Sequence, residues 1–161
     1  MMNTVLKKIT KLDKKVKRNF GSVHNSLPSA VDKSFKWVPL ILALVPGAAG
    51  IKSKNSFMNK IKIIFLSKMI LKSIVFPLKK TVRRRRPDSL FKSNSFPSSH
   101  TATSFLGAEI LHQEMRKSMP AISLAAYPIA ITTAALRLYK KKHWLSDIVA
   151  GAIIGIVAAK G

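Results

Sequence analysis

Cysteine is missing from this chain and acids are scarce; each shortage removes a class of answer. Without a thiol, the 161 residues hold no disulfide framework, thiolate nucleophile or cysteine-based zinc site. The six acids, Asp13, Asp32, Asp88, Glu109, Glu114 and Asp147, are scattered along the chain. They form no evident carboxylate cluster for catalytic metal ions, so neither a metal nor another cofactor is expected. Alternating apolar and polar runs are absent, as are internal repeats, which argues against a sheet or a solenoid. No apolar core lies close to Met1, so no cleavable signal peptide is expected.

Positive charge is what the chain has in excess. Lys and Arg number 29, for a formal charge of +23, which calls for an anionic partner: nucleic acid, a lipid headgroup surface or a phosphorylated substrate. Residues 1–36 form a basic segment in which Val5, Ile9, Leu12 and Val16 make one helical stripe among lysines, the pattern of an amphipathic helix lying on a membrane surface. Residues 37–161 read as one membrane-embedded domain. Trp37–Ile51 is a charge-free run whose 15 residues would rise about 22 Å as a helix, enough to span or to re-enter. Ile61–Leu78 predicts a helix in which Lys68 and Lys72, with Lys79 just beyond, share one face. Further helices are expected near 99–115, 119–139 and 144–159, the second about 30 Å long and the third rich in Gly and Ala suited to close packing. The expected fold is therefore all-α, an integral-membrane helical bundle.

Three polar segments lie where these helices begin or end. The first runs from Lys79 to Pro87 and holds six cations in its first eight residues, which alone reads as a headgroup-binding patch. The second is Phe96-Pro97-Ser98-Ser99-His100-Thr101, where Pro and Ser precede a helix; capping explains the serines but not His100. A helix N-terminus offers outward N–H groups and a positive dipole end, so the Ser99 and His100 amides could cradle a phosphate with a Ser hydroxyl beside them. The third contains Arg137, His143 and Asp147. If the chain is helical from His143 onward, Asp147 at i+4 can accept the Nδ1 proton and leave Nε2 as the nucleophile or base. A helix leaving the membrane face after the second segment and another returning before the third would bring all three segments together.

The segments resemble the tripartite signature of the type-2 phosphatidic acid phosphatase superfamily. Six residues separate Lys79 from Arg86-Pro87; Pro97-Ser98-Ser99-His100 fits the second element; Arg137, His143 and Asp147 fit the third in order and spacing. Two positions depart from the pattern: Ser99 stands where the family has Gly, and Leu136 where it has Ser. The resemblance implies that Lys79, Arg86, Ser98, Ser99 and Arg137 hold the phosphate, that His143 attacks phosphorus with help from Asp147, and that His100 protonates the leaving oxygen. It implies a phosphorylated lipid substrate, the bilayer as partner and no nucleic acid.

The first alternative is a lipid phosphotransferase using the same site. The second is a non-enzymatic basic membrane-binding protein, which would not need these histidine spacings. His24 reads as part of a basic stretch and His112 as a surface residue pairing with Glu109 or Glu114. Trp37, Trp144, Tyr127 and Tyr139 read equally as interfacial anchors or packed aromatics. The chain is expected in a bacterial plasma membrane, with the resemblance favouring an outward-facing site.

Overall fold

The computed structural model describes residues 2–19, 34–51, 53–89 and 91–161, so Gly21, His24 and Pro28 lie outside the described residues. The described chain is helical: α1 (Met2–Asn19), α2 (Val38–Ala48), α3 (Phe57–Val82), α4 (Ser99–Met115), α5 (Pro120–Ser123), α6 (Ala126–Tyr139) and α7 (Leu145–Lys160). Local chemistry sets several boundaries. Ser56 and Ser98 cap α3 and α4, their side chains accepting the N–H groups of Asn59 and Thr101. Arg83 ends α3 in the left-handed region at φ 42°.

Helix α4 is the hub, packed against α7, α2 and α6, with Ala102, Leu106, Ala108, Ile110, Leu111 and Met115 buried along it. Small residues permit these approaches. A side chain on Gly155 would collide with the Ala102 carbonyl, and a Cβ on Gly151 would stand 2.6 Å from that of Ser98. The expected Gly-mediated packing of the last helix is therefore present, and it fixes α7 against the start of α4.

The outer surface is apolar where a water-facing bundle would be polar. Phe65, Leu66, Met69 and Phe76 on α3 are exposed, as are Val149, Ile153 and Val157, which form a stripe at every fourth residue of α7. Exposed apolar faces on several helices suit a hydrocarbon surround.

Two expectations change. The helix expected at 119–139 is interrupted at Leu124–Ala125. Pro128 has no N–H for the Leu124 carbonyl and its ring crowds that oxygen, which instead accepts the Tyr127 N–H at 3.0 Å. The interrupted 20-residue segment is still long and apolar enough to cross a membrane. The run at 37–51 forms a helix of only 11 residues, about 16 Å, with Pro46 inside it.

The surface reading of His112 and its neighbours is also corrected. Glu109 and Glu114 are buried. Glu109 accepts from Tyr127 Oη and Gln113 Nε2, Glu114 accepts from Asn55, and His112 Nδ1 lies 3.1 Å from Ser123 Oγ. Tyr127 thus packs inside the bundle, whereas Trp37 remains exposed with Lys68 Nζ 3.6 Å from its ring centroid.

Candidate active site

The first polar segment leaves the end of α3 and is pinned as it crosses to α4. Lys79 Nζ donates to the carbonyls of Asn94 and Pro97 at 2.8 and 2.7 Å. Arg86 Nε donates to Asn94 Oδ1 at 2.8 Å, and the Ser95 N–H donates to the Arg84 carbonyl at 2.9 Å. These bonds tie the arginine run to the loop that delivers Ser98, Ser99 and His100. Ser98 is buried, and its hydroxyl is engaged with Thr101, 3.0 Å from Oγ1 and 3.5 Å from N. Its side chain therefore serves first as the cap of α4, and the Ser99 and His100 amides stand in the first turn of that helix.

The third segment joins at the same place, because the Ser98 N–H donates to the Asp147 carbonyl at 3.0 Å. Here the structure alters an expected bond. Helix α7 begins at Leu145 after an extended Trp144, so His143 precedes the helix and the i+4 register with Asp147 does not apply. Its Nδ1 lies 2.8 Å from the Ser95 carbonyl and 3.8 Å from Asp147 Oδ2. A carbonyl can only accept, so Nδ1 carries the proton and Nε2 keeps its lone pair, the tautomer a nucleophile needs.

Asp147 is fully buried and acts from one step further back. Its Oδ2 accepts the Ser95 hydroxyl and the Trp144 N–H, the latter at 2.9 Å, while Oδ1 accepts Arg84 Nη1 at 2.7 Å. Burial lowers the His143 imidazole from its ordinary value; the Asp147 carboxylate pulls it back up, and Arg137 and Arg86 push it down. Arg137 is itself buried at the end of α6. The arrangement thus joins an imidazole whose Nε2 carries the lone pair, cations whose charge acts on it, and the first turn of α4, tied in through the Ser98 N–H. Among the described residues, no group of three or more His, Cys, Asp or Glu side chains could hold a metal ion.

Residues 61–161 match the family model of the PAP2 superfamily. The chain belongs to the PAP2 superfamily. The lipid A 1-phosphatase of Porphyromonas gingivalis is 32% identical over 141 residues, covering 87% of this chain and 31% of that relative. The chain thus spans about a third of the length of this PAP2 relative. Two solved structures share the fold. LpxE of Aquifex aeolicus has a TM-score of 0.65 at 21% identity, covering 91% of each chain. The transmembrane PAP2 type phosphatidylglycerolphosphate phosphatase of Bacillus subtilis has a TM-score of 0.69 at 18% identity, covering 95% of this chain and 83% of that one.

Three residues of this PAP2 site escaped the sequence reading: Asp13, Arg84 and Ser95. Arg84 sits in a run of four arginines, where nothing local points to its carboxylate partners. Ser95 contributes its carbonyl to His143, and a carbonyl is common to every residue type. Asp13 is a lone acid among the lysines of α1, and only the distance to Ser146 and Arg84 in space gives it meaning.

Proposed function

We propose that the chain is an integral-membrane lipid phosphatase that hydrolyses a phosphomonoester or diphosphate of a lipid through a phosphohistidine on His143. The observation that carries this reading is the meeting of the buried, Nδ1-protonated His143 with Arg86, Arg137 and the start of α4. His143 Nε2 attacks phosphorus, the bond from phosphorus to the lipid oxygen breaks, and His100 gives that oxygen its proton. His100 then takes a proton from water, which cleaves the nitrogen–phosphorus bond and releases inorganic phosphate. Lys79, Arg86 and Arg137 neutralise the equatorial oxygens, with the amides of Ser99 and His100 adding donors. Removing one such fixed donor from a partly dry site typically costs about 10²–10³-fold in rate.

The exposed apolar side chains of α3 and α7 support embedding in the bilayer, and Val5, Ile9 and Leu12, exposed on α1, support an interfacial position for that helix. A cavity of about 920 Å³ opens along α1, lined by Lys7, Lys11, Lys14, Lys17 and Arg18 together with Trp144, and suits an anionic headgroup. The name of the P. gingivalis relative supports a phosphorylated glycolipid of the lipid A kind as the first substrate to try.

The test is phosphate release by detergent-purified protein from phosphatidic acid, phosphatidylglycerophosphate, an isoprenyl diphosphate and a lipid A phosphate, each with excess chelator. Turnover of at least one, undiminished by chelator, is expected. Silence on all four would overturn the reading, and rescue by magnesium after chelation would overturn the charge-based mechanism.

A further inference from the structure

Among the described side chains of α1, Asp13 alone is buried, at 3% exposure, while its neighbours face outward. A carboxylate withdrawn from water on a helix of lysines needs compensating partners, and Asp13 finds them at the active site. Its Oδ2 accepts Arg84 Nη2 at 2.6 Å and the Ser146 hydroxyl at 2.8 Å, and its Oδ1 accepts the Ser146 N–H at 3.1 Å. Arg84 turns its other arm, Nη1, to Asp147 Oδ1 at 2.7 Å and to Ser146 Oγ at 2.6 Å. One guanidinium is therefore stretched between two carboxylates, one on α1 and one on α7. Trp144 fences the pair, with the Arg84 guanidinium 5.3 Å from its ring centroid and its Nε1 donating to the Arg85 carbonyl at 2.9 Å.

We propose that Asp13 and Arg84 form a positioning pair for Asp147, which makes α1 a working part of the active site as well as a membrane-surface helix. The proposal rests on the phosphatase reading of this site. The path runs through contacts already described. Arg84 fixes Oδ1 of Asp147, which leaves Oδ2 aimed at the Ser95 hydroxyl, and the carbonyl of Ser95 holds Nδ1 of His143. Clamping at both ends also keeps the Arg84 charge directed at carboxylates. Without Asp13, Arg84 is held from one side only, the Asp147 carboxylate is freer to rotate, and His143 loses part of its fixed orientation.

A helix that merely anchored the protein would matter for capture of lipid and little for a soluble substrate. The full chain in detergent micelles, assayed with a water-soluble aryl phosphate, separates the two. Asp13→Ala should lower kcat roughly 10–100-fold, the range seen when groups behind a catalytic ligand are removed, with KM changed by less than about twofold. Arg84→Gln should do likewise, and the double variant should lose no more than the worse single one, because both act through Asp147. Lys8→Ala, an exposed change on the same helix, should leave kcat at the wild-type value. Asp13→Asn keeps the side-chain size and one acceptor, so it carries the test if Asp13→Ala fails to fold. Wild-type kcat in both Asp13 variants, with only the KM for lipid raised, would overturn the proposal, as would losses that multiply in the double variant. Absence of turnover in the wild-type chain would remove the phosphatase reading itself, and this proposal with it.

Discussion

Each end of α4 adjoins a buried acid with basic partners, and the two clusters differ in their balance. Near its C-terminus, Glu114 lies 3.9 Å from Lys60 Nζ and accepts the Asn55 N–H and Nδ2 at 3.0 and 2.6 Å. One acid meets one cation, and the hydrogen bonds tie the start of α3 to α4. Near its N-terminus, Asp147 pairs with Arg84 at 2.7 Å, Arg86 and Lys79 act on it through their charge, and Arg137 acts likewise on His143. Positive charge exceeds negative there even after Asp13 is included, and the surplus surrounds a histidine whose tautomer is fixed by a carbonyl. Buried ionisable groups alone therefore do not mark the site. What sets the N-terminal cluster apart is a surplus of one sign beside an oriented imidazole, the arrangement that the proposed function needs because it is complementary to a charge that only a substrate would bring.

The sharpest way to break that comparison is to remove the two histidines at the surplus end. His143→Gln should abolish phosphoenzyme formation, a loss of roughly 10⁴-fold or more, since the proposed mechanism assigns the bond to phosphorus to His143 alone. His100→Ala should lose about 10²–10⁴-fold on a lipid, whose alkoxide needs a proton to leave, and clearly less in phosphoenzyme formation from an aryl ester. Burst kinetics must isolate that first step, because the proposed mechanism also gives His100 the activation of the hydrolytic water. Phosphoenzyme formed by His143→Gln would remove the nucleophile assignment; equal losses on both substrates would remove the acid assignment.

At the balanced end the effect should fall on stability. Glu114→Ala leaves the Lys60 ammonium buried without its carboxylate, and breaking such a pair costs about 3–5 kcal/mol. The expected result is a much lower melting temperature in micelles, with kcat per folded molecule within about threefold of wild type. Replacing both residues by Met should recover most of that stability, since an apolar pair of similar volume avoids the desolvation cost. A large fall in kcat for the well-folded double variant would give this cluster a catalytic part and dissolve the contrast.

Much of this arrangement is legible in the sequence, and what is not legible has a common cause. Helix α4 falls on the expected 99–115 because Ser98 is a cap followed by apolar spacing, and α7 is displaced by a single residue. His100, His143 and Asp147 stand out because they lie beside expected helix starts, whereas Lys79, Arg86 and Arg137 are named only by the resemblance to the tripartite signature. The bond from His143 to the Ser95 carbonyl could not be read, because whether helix α7 starts at His143 or Leu145 decides it, and boundaries are set by small local differences. The part played by Arg84 could not be read for a similar reason: its two carboxylate partners, Asp13 and Asp147, are more than 60 positions away in the chain. The break before α6 was available in principle, since Pro128 forbids the Leu124 bond whatever surrounds it.

The smallest expected effect is also the most direct reading of the electrostatic surplus. Burial lowers the pKa of His143, Asp147 raises it, and Arg137 and Arg86 lower it, the balance falling below the ordinary value of 6.5. Above its pKa the imidazole is neutral and Nε2 can attack; below it, the ring is protonated and cannot. The acid limb due to His143 should therefore lie below 6.5, and the folded protein should lose stability as pH falls from 6.5 toward the lowered value, where the unfolded chain takes up the proton first. Titration of labelled imidazole by NMR reads the group itself and survives loss of activity. Arg86→Gln removes a cation and should raise the His143 value toward 6.5, whereas Asp147→Asn removes the anion and should lower it further. Shifts in opposite directions are the signature of a nucleophile held between surplus cations and one carboxylate; shifts in the same direction, or a wild-type value above 6.5, would show that the field at His143 is not the one described.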